Sequence, residues 1–193
     1  MATKHMRRAL PGLCLALTTP VMATGDTTVT EWMPLGSELL GPGESMDDDF
    51  LVTNEEGDVL GFEVRFDYDE PISDTSWASD VQVVVDGPGG ERFTVGGFTN
   101  IDDADALWSF DGPGSDGPGR YGDSGNDIFL PWQATPIGAG TFHVTFTNDW
   151  FGDENPNEYD SVSIRFYQTI PAPGVAAVFA AGVVIARRRR RSR

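Results

Sequence analysis

The chain has 193 residues, one cysteine and a formal net charge of −17 at pH 7. Nine of its 13 basic residues lie in the terminal segments 1–23 and 171–193, so the central segment 24–170 sets four arginines against all 30 acidic residues. The resulting formal charge of −26 keeps a domain soluble and opposes binding to nucleic acid or anionic lipid. It is typical of adaptation to a saline medium, or of a domain that binds divalent cations.

The first 23 residues have the three parts of a secretory signal peptide. The positively charged start contains Lys4, Arg7 and Arg8. A short apolar stretch follows at 9–17, and a cleavage site of small residues follows at 21–23. We expect cleavage after Ala23. Because the single cysteine, Cys14, lies inside this segment, the exported domain would contain no disulfide. It would be held together by its hydrophobic core or by bound metal.

The central segment alternates apolar and polar residues with a period of two, which is typical of β-strands. The clearest alternation covers 62–66, 81–85, 142–146 and 162–166, continues at 93–95, and is weaker at 28–32, 50–53 and 128–132. Antiparallel strands with one apolar face bury that face against a second sheet. We therefore predict an all-β domain, an antiparallel β-sandwich of jelly-roll or Greek-key type, with a closed barrel as the alternative.

The sequence Asp-Gly-Pro-Gly occurs three times, at 86–89, 111–114 and 116–119. The first copy lies between two predicted strands and predicts a hairpin turn, because Gly and Pro supply the backbone angles of turns. The other two lie in the segment 111–127, which has no apolar periodicity and is long for a loop in a compact domain. We expect this segment to be functional, ordered by an ion, or mobile.

The inventory of reactive side chains argues against an enzyme. The central segment has one histidine, His143, and neither cysteine nor lysine, which removes Cys-His pairs, Schiff-base lysines and zinc clusters. The alternation places His143 on the outward face of a strand, and no Gly-x-Ser-x-Gly motif accompanies it. A pair of carboxylates acting as a glycosidase is an alternative, but 30 acidic residues make that pattern unspecific. We predict no enzymatic activity.

Calcium binding is the better-motivated chemistry, because Ca²⁺ takes six to eight oxygen ligands from Asp, Asn and backbone carbonyls. The strongest candidate is the loop 149–160, whose predicted ligands are Asp149, Asp153, Asn155, Asn157 and Asp160. Its spacing departs from an EF-hand, which requires a glycine at the sixth position and flanking helices. Two further acidic clusters lie at 102–105 and 123–127. The alternative is that all three clusters are solvated turns of an acidic protein.

Aromatic residues in the predicted loops suggest a second type of site. Flat rings beside acids and amides are typical of sugar recognition, and we predict a ligand surface formed by Trp77, Trp150 and Tyr159. The alternative is that tryptophans fill the ends of the core, since each buries a large apolar area. The stretch 74–80 also resembles the strand start of calcium-dependent sandwich modules such as CUB domains and convertase P domains. The second functional hypothesis is therefore a calcium-dependent carbohydrate-binding module for matrix polysaccharide.

The last 23 residues combine Pro171-Ala172-Pro173, an apolar run at 175–186 and an arginine-rich tail at 187–193. Twelve apolar residues in a helix reach roughly 18 Å, which is short of the roughly 30 Å of hydrocarbon in a bilayer. The arginines can extend to the headgroups and hold that end in the cytoplasm. We expect a weak membrane stop suited to transient anchoring, with an ordinary C-terminal anchor as the alternative.

This order of features resembles the PEP-CTERM sorting signal of Gram-negative bacterial surface proteins, although Ala172 stands where that family has Glu. In that family a membrane protease of the exosortase class recognises the motif and transfers the protein to the cell surface or the extracellular biofilm matrix. The resemblance implies an exported protein with a structural or binding role and an exosortase-class partner. The chain then divides into a signal peptide (1–23), an acidic β-sandwich domain (24–170) and a sorting segment (171–193).

Overall fold

The computed structural model describes residues 27–53, 57–69, 76–99, 101–110, 117–122, 125–152 and 155–170. The predicted signal peptide and sorting segment, with the helices expected in them, lie outside the described residues. Within the described ranges, no helix has the length and apolar character needed to cross a membrane.

The described residues form ten β-strands and two short 3-10 helices, Ala78–Asp80 and Ile101–Asp103. The strands in chain order are β1 (Thr27–Val29), β2 (Met33–Leu40), β3 (Ser45–Val52), β4 (Val59–Asp69), β5 (Val81–Asp86), β6 (Arg92–Gly96), β7 (Gly119–Tyr121), β8 (Ile128–Phe129), β9 (Gly140–Asn148) and β10 (Asn157–Thr169). Sheet A has the order β1-β10-β4-β7, with β2 also paired to β10 and β8 to β4. Sheet B has the order β3-β9-β5-β6. All of these strand pairs are antiparallel, which confirms the predicted all-β class.

The stretches with clear alternation are confirmed as strands, since they form parts of β4, β5, β6, β9 and β10. The weaker predictions at 28–32 and 128–132 are strands only at 27–29 and 128–129. Strand β2 was not predicted because it contains Pro34 and Gly36, which disfavour strands. Proline is tolerated there because β2 pairs with β10 on one side and has no strand beyond it among the described residues.

The hairpin predicted at 86–89 is confirmed. Strands β5 and β6 pair from Gln82↔Gly96 to Asp86↔Arg92. The Gly87 N–H donates to the Glu91 carbonyl at 2.6 Å, and the Gly90 N–H donates to the Gly87 carbonyl at 3.0 Å. Gly90 has φ +90°, a left-handed conformation that glycine adopts without steric cost.

A β-bulge interrupts β10 at Ser161, the one described non-glycine residue with positive φ, at 54°. The pairing of β10 with β2 shifts between Tyr159 and Val162, and its pairing with β4 shifts between Asp160 and Ser163. The bulge changes the phase of the side-chain alternation, so that Tyr159 and Val162 both point into the core although they are three positions apart. One strand thereby buries apolar residues on both sides of an irregularity.

The two sheets contact each other through inward-facing aromatic side chains. Phe66 of β4 meets Phe146 of β9 with ring centroids 5.2 Å apart, and Phe142 of β9 meets Phe166 of β10 at 4.8 Å. Tyr159 of β10 lies 5.1 Å from Phe146. Each of these five residues has a solvent exposure of 0 %, so the two sheets share one hydrophobic core.

The fold has two distinct ends. Thr27 pairs with Thr169, so the first and last described strands lie side by side at what we term the terminal end. At the other end, which we term the distal end, the Gly43 N–H donates to the Asn148 carbonyl at 2.7 Å and Leu40 pairs with Asn157. Strand β10 has 13 residues and separates the two ends by roughly 40 Å at about 3.3 Å per residue.

We expect Phe66→Ala to lower the free energy of unfolding by about 3–5 kcal/mol, because it removes a ring that contacts both sheets and leaves a cavity. Leu51→Ala is the control, since Leu51 is 70 % exposed on β3 and should change stability by less than about 0.5 kcal/mol. Urea unfolding of the purified chain measures both. Equal small losses in the two variants would contradict a core centred on Phe66.

Candidate functional site

The loop between β9 and β10, at the distal end, contains three of the described residues that the sequence singled out, Asp149, Trp150 and Asn155. Asp149 follows β9 and is buried. Its Oδ2 accepts the backbone N–H of Phe98 at 2.8 Å and that of Thr99 at 2.7 Å. The Thr99 hydroxyl in turn donates to the Asp149 carbonyl at 3.1 Å. Asp149 therefore ties the loop after β6 to the loop after β9, and its carboxylate is already an acceptor of protein hydrogen bonds.

The other predicted calcium ligands lie in different environments. Asn157 is buried, where its Oδ1 accepts from the Ser76 hydroxyl at 3.2 Å and its Nδ2 donates to the Tyr159 hydroxyl at 3.4 Å. Asn155 and Asp160 are exposed, and Asp153 lies outside the described residues. The described members of this set therefore differ in burial and in the groups that they contact.

The two further acidic clusters contain carboxylates that satisfy backbone amides. Asp105 accepts the Thr94 N–H at 2.8 Å. Asp127 is buried and accepts both the Ser109 N–H at 2.7 Å and the Ser109 hydroxyl at 2.9 Å. Within the ranges that the structure describes, no group of three or more His, Cys, Asp or Glu side chains is arranged to hold a metal ion. The calcium hypothesis thus continues to depend on the sequence.

Trp77 and Trp150 are brought to the same end of the fold. The Trp77 N–H donates to the Asp80 carboxylate at 2.7 Å, and the Asp80 carbonyl accepts the Asp149 N–H at 3.3 Å. Trp150 follows directly after Asp149, so this chain of hydrogen bonds links the backbone segments of both tryptophans. Both are half-buried.

Tyr159 requires a correction to the predicted ligand surface. Its ring is fully buried against Phe66, Phe146 and Tyr68. A buried ring cannot present a face to a ligand, so Tyr159 belongs to the core. The bulge at Ser161 is the physical reason, because it turns Tyr159 inward. Trp108 and Trp132 are also core residues, and the indole N–H of Trp108 donates to the Val81 carbonyl at 2.9 Å.

The exposed aromatic surface is instead completed by two residues that the sequence reasoning missed. Phe98 is 48 % exposed and its ring meets that of Trp150 edge to face, with centroids 4.6 Å apart. Phe151 is 57 % exposed. Both are aromatic residues in loops outside any alternating stretch, and this position in the sequence could have indicated that they are exposed. We call Phe98, Trp150 and Phe151 the distal aromatic surface.

Trp150 carries an unused hydrogen-bond donor. Its Nε1 is buried and has no partner, the one such side-chain nitrogen or oxygen in the described part of the chain. Buried polar atoms are normally satisfied, and an orphaned donor costs stability. A ligand oxygen or an ordered water at this position would satisfy the indole N–H.

His143 lies on the outer face of sheet B, as the alternation predicted. Its Nδ1 is 2.9 Å from Asp49 Oδ1, and its Nε2 is 4.0 Å from Asp47 Oδ2. Nearby on the same face, Arg92 donates to Asp86 through Nε at 2.8 Å and Nη2 at 2.9 Å, and these hydrogen bonds lower the pKa of Asp86. The contacts that the imidazole makes are thus with the carboxylates of Asp47 and Asp49.

No protein-family model matches the chain, and no curated protein is significantly similar to it.

We expect Asp149→Ala to lower the free energy of unfolding by about 1–3 kcal/mol, since it leaves two backbone amides without an acceptor. Asp160→Ala, at an exposed position, is the control and should have little effect. Urea unfolding in a chelator, together with hydrogen exchange of the Phe98 and Thr99 amides, measures the change. If Asp149→Ala is less stable than the unmodified chain only when calcium is added, Asp149 is instead a metal ligand.

Proposed function

We propose that the chain is an exported protein, displayed at the cell surface or in the extracellular matrix, in which the acidic domain 24–170 has a structural or binding role. The signal peptide predicted at 1–23 and the sorting segment predicted at 171–193 support export. The formal charge of −26 in the central segment suits a domain that works in an aqueous medium of high ionic strength.

The observation that carries this proposal is the pairing of Thr27 with Thr169. It brings the two chain ends of the domain side by side, so the segments 1–26 and 171–193 both connect to the terminal end. The membrane segment predicted within 171–193 would then hold the terminal end, with the start of the mature chain beside it. The distal end, roughly 40 Å away, would then face outward.

We further propose that the two sheets form a β-sandwich of jelly-roll or Greek-key type. The contacts of Phe66 with Phe146 and of Phe142 with Phe166 support face-to-face packing of the sheets. A β-sandwich presents its loops at two opposite ends, which suits a domain held at one end and binding at the other.

A non-catalytic role is the simplest account of the side chains. The imidazole of His143 faces Asp47 and Asp49, and the carboxylates of Asp127 and Asp149 accept backbone N–H groups. Groups held in this way contribute to structure or to surface charge, and we propose that the protein is not an enzyme.

The proposal predicts a processed product. In a host with the cognate sorting protease, we expect a mature chain that begins after Ala23, ends near Pro171 and is accessible to protease on intact cells. Pro173→Ala should leave the protein membrane-associated, whereas Pro136→Ala, in an exposed turn of the domain, should not. Mass spectrometry of the cell fractions measures this. Intact protein in the cytosol with both ends uncut would refute export.

A second candidate function is calcium-dependent carbohydrate binding at the distal aromatic surface. Exposed Phe98 and Phe151, together with the half-buried ring of Trp150, support it, because aromatic faces suit a sugar ring. Calcium held by the predicted ligands Asp153, Asn155 and Asp160 would lie close to Trp150 and Phe151 in sequence. The exosortase-class protease and a matrix polysaccharide are then the two proposed partners.

For this second function we expect saturable binding of the purified chain to a neutral matrix polysaccharide, measured on a glycan array and by titration. Phe151→Ala should weaken it by about tenfold, a magnitude typical of losing one stacked aromatic ring. Leu51→Ala, which removes an apolar side chain that is 70 % exposed and lies towards the other end of β3, is the control. Binding unchanged in Phe151→Ala would remove this surface from consideration. If sodium at matched ionic strength stabilises the chain as much as calcium does, the hypothesis of a calcium site is ruled out.

A further inference from the structure

Sheet A carries most of the arginines of the domain. Arg65 on β4 and Arg165 on β10 alternate with inward-facing core residues, and Arg120 on β7 pairs across to β4. Arg92, the remaining arginine of the described residues, lies on sheet B. Three of the four arginines of the central segment therefore lie on sheet A.

Two of these arginines lie against one indole. The Arg65 Cζ is 4.1 Å from the centroid of the Trp32 ring, and the Arg165 Cζ is 4.4 Å from it. Cation–π attraction favours each contact, but two guanidinium groups at one ring also repel each other. The cluster therefore needs negative charge nearby.

One carboxylate supplies part of that charge. Glu63 is 1 % exposed, and its Oε2 accepts from Arg165 Nε at 2.7 Å, from Arg165 Nη2 at 2.6 Å and from the Tyr167 hydroxyl at 3.0 Å. Burial of the Tyr167 hydroxyl, followed by its hydrogen bond to Glu63, raises the pKa of Tyr167. The charge of Glu63 is thus balanced by Arg165.

Arg65 makes no salt bridge. The acidic residues two positions away on its strand, Glu63 and Asp67, are held by Arg165 and Arg120. Arg120 donates two hydrogen bonds of 2.8 Å to Asp67, and these are the main cause of the lowered pKa of Asp67, to which the charge of Arg65 also contributes. Among the described residues, Arg65 is the one arginine without a carboxylate oxygen within 4.0 Å of its guanidinium nitrogens.

We propose that Arg65, stacked on Trp32, is the binding site for a sugar acid that carries one carboxylate. A guanidinium offers two parallel N–H donors that match a carboxylate, and stacking on the indole fixes the plane of this fork in advance. Anions of higher charge are disfavoured by the surrounding domain of −26.

The rings of Trp32 and Tyr167 explain why the ligand is a sugar acid and not a simple organic acid. Arg165 lies near both, 4.4 Å from the Trp32 centroid and 5.9 Å from that of Tyr167. A half-buried aromatic surface beside the guanidinium can contact the C–H groups of a sugar ring while the carboxylate is bound. This site is on the side of the fold, separate from the distal aromatic surface, and does not depend on the function proposed above.

The experiment follows the indole N–H signal of Trp32 in ¹⁵N NMR spectra of the purified chain, which has five tryptophans. Trp32→Phe assigns the signal. We expect galacturonate to shift it saturably, and galactose, the matched neutral sugar, to leave it unchanged. An equal shift with galactose, or with sodium chloride at matched ionic strength, would overturn the site. Equal affinity for acetate would overturn the assignment to a sugar acid.

Variants distinguish binding from a merely structural contact of Arg65 with Trp32. Arg65→Ala should weaken galacturonate binding by at least about tenfold, the effect of losing a charge-assisted hydrogen-bonded pair. Arg65→Lys keeps the charge without the planar fork and should weaken binding by roughly three- to tenfold. Arg92→Ala, an exposed arginine of sheet B, is the control and should bind normally. The other four indole signals report whether each variant is folded. Unchanged affinity in folded Arg65→Ala or Arg65→Lys would refute the proposal.

Discussion

The packing of aromatic rings between the two sheets is the interaction on which the rest of this structure depends. The central segment has no cysteine and a formal charge of −26, so its compact state must outweigh strong self-repulsion without a covalent link. Phe66, Phe146 and Tyr159 provide the contact, with ring centroids 5.1–6.0 Å apart. Burial of apolar surface stabilises by about 25 cal/mol per Å². Because this contact sets the spacing of the sheets, it also places the loops at both ends.

Many of the acidic residues stabilise the fold directly. Asp80, Asp105, Asp127 and Asp149 all accept backbone N–H groups of turns and loops. A carboxylate that accepts a hydrogen bond from a backbone N–H group has its negative charge stabilised, unlike a carboxylate surrounded only by other negative charges. The same hydrogen bond fixes the loop that donates the N–H group. The acidic clusters that suggest cation binding in the sequence thus have a second physical explanation. Ion pairs with Arg92, Arg120 and Arg165 neutralise further carboxylates.

The structure separates three regions with different chemistry. The terminal end joins both chain ends through the pairing of Thr27 with Thr169. The distal end exposes aromatic rings on loops that Asp149 holds together. The outer face of sheet A gathers Arg65 and Arg165 around Trp32. A domain held at its terminal end would leave both the distal end and this face accessible, which suits a displayed protein with a binding role.

The sequence by itself determined the all-β class, the long strands, the first hairpin and the outward position of His143, because alternation with a period of two is a local property. Only the tertiary structure decided where Tyr159 points, since the bulge at Ser161 reverses the side-chain phase and arises from pairing with β2 and β4. The same holds for Asp149, whose amide partners lie about 50 positions away, and for the gathering of Arg65 and Arg165 on Trp32. Contacts between distant residues depend on strand order and register, which a local pattern does not encode.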